Sequence, residues 1–113
     1  MHRDIKWSNV FCFSNGVVKL GDLNVSTVMK DNFTRTRAGT PFYTSPEIWN
    51  NTAYDFKCDI WSLGWLIYEL AAGRPPFLAL SEKKLYQVVM KGKYPKIPLV
   101  YSNDLVQLID TLL

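Results

Sequence analysis

The sequence predicts a mainly α fold carrying one small β-hairpin. Three observations carry that reading. First, two short β-prone runs, VFCF and VVKL, flank Asn15-Gly16, two residues that tolerate positive φ and favour a hairpin turn. Second, beyond residue 45 apolar residues recur at helical spacing between serine starts and glycine stops. Third, strands and helices do not alternate along the chain, which argues against a parallel βαβ sheet.

Taken in order, the hairpin covers residues 10–20. Residues 22–43 lose periodicity and are rich in Thr, Asn, Arg and Gly, as expected of a long loop, and loops of that length are usually functional. SPEIWNN places Ser45 as a cap before Pro46, a good first helical residue. A long helix is predicted from Asp55 to Ala72, stopped by Gly73 and then Pro75-Pro76, which cannot continue it. Ser81 caps a third helix running to about Lys91 and closed by Gly92. Ser102 caps a fourth, with Leu105, Leu108, Ile109 and Leu112 on its apolar face.

Composition sets bounds on function. The 113 residues are 48% hydrophobic and 14% aromatic, enough for one modest globular domain. A net charge of +3 is mild. The basic clusters at Arg35–Arg37 and Lys91–Lys96 read as solvated surface, and no nucleic-acid partner is expected, since such a footprint needs a denser stripe with exposed aromatics. No membrane partner is expected either. The longest apolar stretch, Ile60–Ala72, is too short to span a bilayer and carries Glu69. Charged residues directly after Met1 do not make a signal peptide, and the sequon at Asn32 carries no sign of secretion. Cys12 and Cys58 are expected as buried free thiols of a reducing compartment, and two cysteines with one histidine cannot build a zinc centre. His2 is read as a packing residue, and Tyr43, Trp49, Trp61 and Trp65 as core aromatics.

The chemistry-bearing residues sit at the start. Phosphoryl transfer needs a carboxylate near the attacking hydroxyl, positive charge on the moving phosphoryl group and oxygen ligands for Mg²⁺. His2-Arg3-Asp4, Lys6 and Asn9 supply that set within eight residues. The hairpin then returns the chain and delivers Asp22, a rigid way to hold a second carboxylate near the first group.

This constellation resembles the catalytic segment of protein kinases. HRDIKWSN matches the catalytic loop, GDLN the metal-binding motif, GTPFYTSPE the end of the activation segment and DIWSLGWLIYEL the central helix that follows. The lysine at position 6 favours the serine/threonine type, and GVVKLGDL with GTPFYTSPE is most similar to the NIMA-related kinases. The resemblance implies the C-terminal lobe of a kinase fold, with protein Ser/Thr hydroxyls as substrate, ATP as co-substrate and Mg²⁺ as cofactor. It further implies that Asp4 orients the substrate hydroxyl and accepts its proton, and that Lys6 stabilises the γ-phosphoryl charge. Asn9 and Asp22 would hold Mg²⁺, and Thr40 would hydrogen-bond near Asp4 and Lys6. Asp59 would anchor the catalytic-loop backbone. Arg3 would pair with a phosphate on the activation loop, for which Thr36 is the first candidate and Thr34 the second. Glu47 would be structural, its family partner being an arginine farther on that these 113 residues do not include. By family analogy the place of action is cytoplasmic, with nuclear, centrosomal and ciliary structures as further sites.

Three features depart from the pattern. Trp7 stands where a small residue or proline is common. Asp22-Leu23-Asn24 replaces Asp-Phe-Gly, and Asn24 is expected to accept left-handed geometry next best to glycine, keeping metal binding but stiffening the loop. No glycine-rich phosphate loop, strand lysine or helix glutamate occurs in the sequence. The expected organisation is therefore a partial kinase domain over 1–113, without its N-terminal lobe and final helices and inactive alone. Met1 is then the apolar residue that precedes His-Arg-Asp in a cut sequence, or the true start of a shortened product. The second case allows an alternative function, a non-enzymatic docking module of pseudokinase type. With the central helix apolar almost all round, the isolated chain is expected to be weakly stable and prone to aggregate.

Overall fold

The computed structural model describes residues 1–28, 34, 36 and 38–113. Arg35, Arg37 and Asn32 lie outside the described residues. The element order is a 3₁₀ turn at Trp7–Asn9, strands β1 (Val10–Cys12) and β2 (Val18–Leu20), a 3₁₀ turn at Pro41–Tyr43, then helices α1 (Pro46–Trp49), α2 (Lys57–Ala72), α3 (Glu82–Lys91) and α4 (Asn103–Leu112). Mainly helical with one two-stranded sheet, the fold agrees with the sequence reading and fits a piece of a kinase domain.

The strands pair antiparallel with Val10 opposite Leu20, Phe11 opposite Lys19 and Cys12 opposite Val18. The turn differs from the expected Asn-Gly pair. Only Gly16 takes a positive φ (81°), and the Gly16 N–H donates to the Phe13 carbonyl at 3.0 Å. Residues 13–16 thus form a turn closed by a left-handed glycine. Asn15 serves through its side chain, accepting from the Val17 N–H at 3.1 Å. The ribbon is open to solvent, so Cys12 is exposed and not the buried thiol expected; Cys58 is buried.

Local chemistry sets most helix ends. Asp55 lies just outside α2, where its Oδ1 accepts from the Lys57 N–H at 2.8 Å. Gly73, in left-handed geometry (φ 66°), ends the helix, its N–H reaching the Glu69 carbonyl at 2.9 Å. Ser81 and Ser102 both cap, accepting from the Lys84 and Leu105 N–H groups at 3.3 Å each. Ser45 does not. It holds the N-cap position of α1, but its buried hydroxyl has no hydrogen-bond partner among the described residues.

Helix α2 is the spine. Trp61 and Trp65 pack with Phe77, Leu85 and Val89, the Trp61 and Phe77 rings stacked with centroids 6.0 Å apart. Tyr68 packs with Ile97 and Ile109, and Cys58 with Ile48 and Tyr54. Gly64 lets α4 cross closely, since a Cβ there would fall 2.6 Å from Leu112 Cβ. On α4 Leu105, Ile109 and Leu112 turn inward as expected, whereas Leu108 is exposed and Val106 packs on the cluster of Tyr68 and Ile97. Ile60, Leu63 and Leu70 of α2 remain exposed. No helix among the described residues is long and apolar enough to cross a membrane.

Candidate functional site

The site is built from four segments that sequence separates widely. Asp59, in the first turn of α2, receives two backbone N–H groups, from His2 at Oδ2 and Arg3 at Oδ1, both at 2.7 Å. A carboxylate taking two short charge-assisted bonds fixes the chain entering Asp4. Arg3 is turned into left-handed geometry (φ 69°), and its Nε donates to the Val25 carbonyl at 2.7 Å. Buried His2 stitches the same corner to the hairpin exit. Its Nδ1 lies 3.3 Å from the Asp4 N–H and its Nε2 3.0 Å from the Gly21 carbonyl. Only a ring accepting at Nδ1 and donating at Nε2 satisfies both.

Asp4 then presents its carboxylate to three partners. Oδ1 accepts from the Thr40 N–H at 3.0 Å and the Thr40 hydroxyl at 2.8 Å. Oδ2 pairs with Lys6 Nζ at 2.8 Å and accepts from Asn9 Nδ2 at 3.2 Å. Lys6 Nζ also donates to Thr40 Oγ1 at 2.9 Å, so Asp4, Lys6 and Thr40 form a closed triangle. Burial of the Asp4 carboxyl opposes its ionisation. The hydrogen bonds from Lys6, Thr40 and Asn9 and the Lys6 charge outweigh that, holding it below its ordinary 3.8. Thr40 can approach only because Gly39 precedes it. Gly39 has φ 97°, and a Cβ there would sit 2.2 Å from the Arg3 carbonyl oxygen.

The donor set suits a hard divalent cation. Asn9 spends its amide nitrogen on Asp4, at the carbonyl (2.9 Å) and at Oδ2, leaving its amide oxygen as a ligand. Asp22 is exposed, and among the described residues its Oδ1 accepts only from the Asn24 N–H, at 3.4 Å. The Gly21 N–H donates to the Asn9 carbonyl at 2.9 Å, which brings the residue before Asp22 against Asn9. Among the described residues no cluster of three His, Cys, Asp or Glu could cage a metal. One carboxylate and one amide oxygen fit Mg²⁺, which takes few protein ligands and completes its shell with phosphates and water. Asp22 itself takes the left-handed geometry (φ 61°); Asn24, where it was expected, does not.

The residues expected to be regulatory are placed apart. Thr34 bridges Tyr54 in an isolated antiparallel pair, with N–H···O distances of 2.9 Å in both directions. Thr36 is exposed, and its carbonyl accepts the Tyr54 hydroxyl. Among the described residues no hydrogen bond joins Arg3 to either threonine. Glu47 lines a cavity of about 600 Å³ with Trp61 and Lys57 and forms no ion pair among the described residues. Trp7 is solvent-exposed beside Lys6.

Sequence reasoning passed over three contributors. Gly39 is one, and its signal was a glycine directly before Thr40. The Ser26 hydroxyl, which donates to the His2 carbonyl at 3.2 Å, is another. The third is the Tyr43 hydroxyl, which donates to Glu69 Oε2 at 2.7 Å. That bond ties the second 3₁₀ turn to α2. Burial and the neighbouring Glu69 carboxylate push the phenol well above its ordinary value.

Comparison with known proteins places these residues in context. The family model described as protein kinase domain matches residues 1–113. The chain is 44% identical over 115 residues to serine/threonine-protein kinase Nek2 of Homo sapiens, covering 100% of this chain and 26% of that protein. It is 49% identical over 106 residues to the G2-specific protein kinase nim-1 of Neurospora crassa, covering 93% of this chain and 12% of that one. With the G2-specific protein kinase nimA of Emericella nidulans it shares 41% identity over 114 residues, 100% of this chain and 16% of the relative. The chain thus spans about a quarter or less of the length of these curated relatives.

Proposed function

Because this chain belongs to the protein kinase domain family, on its NIMA-related branch, we propose that it is the catalytic segment of a serine/threonine kinase. The reaction is transfer of the γ-phosphoryl group of ATP to Ser or Thr hydroxyls of protein substrates. The observation that carries the reading is the closed Asp4–Lys6–Thr40 triangle with the Asn9 amide bonded to the same Asp4 carboxylate.

Asp4 holds the attacking hydroxyl in line and takes its proton. A carboxylate held below its ordinary value is a weak base, which suits a loose phosphoryl transition state in which the proton leaves late. Lys6 lies between Asp4 and Thr40 and offers an ammonium to the charge on the moving phosphoryl oxygens. Thr40 keeps the acid and the cation in register. Bound Mg²⁺ would neutralise phosphate charge, and Asn9 and Asp22 are the residues to hold it. Arg3, Thr36 and Thr34 form the regulatory part of the reading, with a phosphate on Thr36 drawing Arg3 to it. The adenine and the α- and β-phosphates fall to an N-terminal lobe supplied outside these 113 residues. Action in the cytoplasm, with nuclear, centrosomal or ciliary structures as further sites, belongs to the same reading.

A docking module without activity is the second reading. Asn24 in place of glycine favours it. The test is transfer of label from γ-labelled ATP to a protein substrate by the full-length protein, followed by phosphoamino-acid analysis. Label on Ser or Thr that vanishes on Lys6→Ala supports the kinase. No transfer by a folded full-length protein with Mg²⁺ present supports the module.

A further inference from the structure

Positive charge is concentrated in one part of this molecule. Between residues 74 and 96 stand Arg74, Lys83, Lys84, Lys91, Lys93 and Lys96 against the single acid Glu82. In the remainder of the chain acidic residues outnumber basic ones. Two of these cations, Arg74 and Lys93, line one cleft. On α3, Leu85 and Val89 face the core, and Lys84, Val88 and Lys91 follow one stripe at i, i+4 and i+7. Val88 is half-buried and lines a cleft of about 220 Å³ with Arg74, Pro76, Phe77, Lys93 and Pro95. Cations therefore stand at both walls, and the floor is apolar.

The cleft is braced from beneath. Fully buried Tyr68 donates its hydroxyl to the Pro95 carbonyl at 2.8 Å, and the Arg74 charge acts on the same phenol. The phenol thus stands between the two walls. Lys84, Lys91 and Lys93 are exposed, and none forms an ion pair among the described residues. Pro75, Pro76 and Pro95 offer no backbone N–H, so the lining is short of backbone donors, and Arg74 and Lys93 are its cations.

We propose that this cleft is a docking site for an acidic segment of a partner protein, one aliphatic side chain resting on the floor and carboxylates meeting Arg74, Lys91 and Lys93 at the rim. Charge complementarity selects an acidic occupant, and the apolar floor selects a peptide over a bare polyanion. A nucleic acid is disfavoured because no exposed ring lines the cleft for a base to stack on; Phe77 is buried. A membrane is disfavoured because the floor residues Phe77 and Val88 line a concavity, and the one widely exposed leucine of the lining, Leu78, is too little apolar surface to insert. The proposal does not depend on the phosphoryl-transfer reading.

The test is fluorescence anisotropy of a labelled Glu-Asp-Leu-Glu-Asp peptide with the full-length protein. Saturable binding that weakens as salt rises is expected. Lys91→Glu with Lys93→Glu should weaken it about tenfold or more, the milder double alanine variant less, and Lys57→Glu, an exposed cation on another face, not at all. Replacing the peptide leucine by serine should also weaken it. Equal loss in the Lys57→Glu control would overturn the proposal, as would indifference to the leucine. Poly-uridylate or phosphatidylserine vesicles binding more tightly through the same lysines would overturn it too.

Discussion

The corner around Asp4 and the aromatic core of the helices are built on opposite principles, although α2 serves both. In the corner, carboxylates reach groups far away in sequence. Asp59 takes N–H groups from His2 and Arg3, and Asp4 takes the Thr40 N–H and hydroxyl. Later turns of the same helix carry Trp65 and Tyr68, both fully buried against Phe77, Tyr94 and Ile109. The corner holds charge in fixed directions and gains little net stability from each bond, because water competes for every group. The core gains its stability from area and ring packing and fixes no charge. Chemistry and stability are thereby lodged in different parts of one helix, and substitutions in the two regions should separate them.

Trp65→Ala is the largest expected blow to stability. It empties the space against Tyr43 and Phe77 and should cost about 3–5 kcal/mol, read as a lower urea midpoint of the full-length protein. A cost near that of a surface substitution would break the comparison. Asp59→Asn should cost less, about 1.5–3 kcal/mol, since one of two backbone N–H groups loses its acceptor. Its effect on phosphoryl transfer should exceed its effect on stability, because Asp4 would lose its fixed approach; equal losses would place Asp59 with the core.

Acid should expose the corner selectively. Asp4 is held below its ordinary 3.8, so the folded state binds fewer protons than the unfolded chain there. Its contribution is present above that value and is lost as pH falls through the lower, folded value. Lys6→Met removes the principal cause of the lowering and should move the acid limb of the stability profile upward; an unmoved limb would detach Lys6 from Asp4. The smallest disturbance is thiol labelling. Cys12 is exposed and should react at once, whereas Cys58, pushed up to about 12 by burial and then by the Asp59 and Glu47 charges, should react only on unfolding.

What the sequence made legible follows the same division. Ser81, Ser102, Gly73 and Gly92 mark helix ends because capping is a contact within one turn of chain. The cluster Asp4, Lys6 and Asn9 was readable for the same reason, all three lying within one short turn. Thr40 and Asp59 were visible only through family resemblance, since nothing local links them to Asp4. The Tyr43–Glu69 bond was not visible at all, because it spans 26 residues and depends on where the second 3₁₀ turn lands on α2. Leu108 and Val106 exchanged places because a helix's apolar arc is read correctly only once its packing partner is known. Ser45 looked like a cap because residue type reports the position and not the rotamer. Cys12 was misjudged because a two-stranded ribbon has no second layer to bury it.

The most direct test of the account is Asp4→Asn in the full-length protein, with phosphoryl transfer and urea unfolding measured on the same preparation. The exchange keeps size and one acceptor while removing the charge that orders Lys6 and Thr40. The account predicts loss of transfer by about a thousandfold or more, with a midpoint shift far smaller than that of Trp65→Ala. Transfer that survives the exchange, or a midpoint that falls as far as the tryptophan variant's, would contradict it.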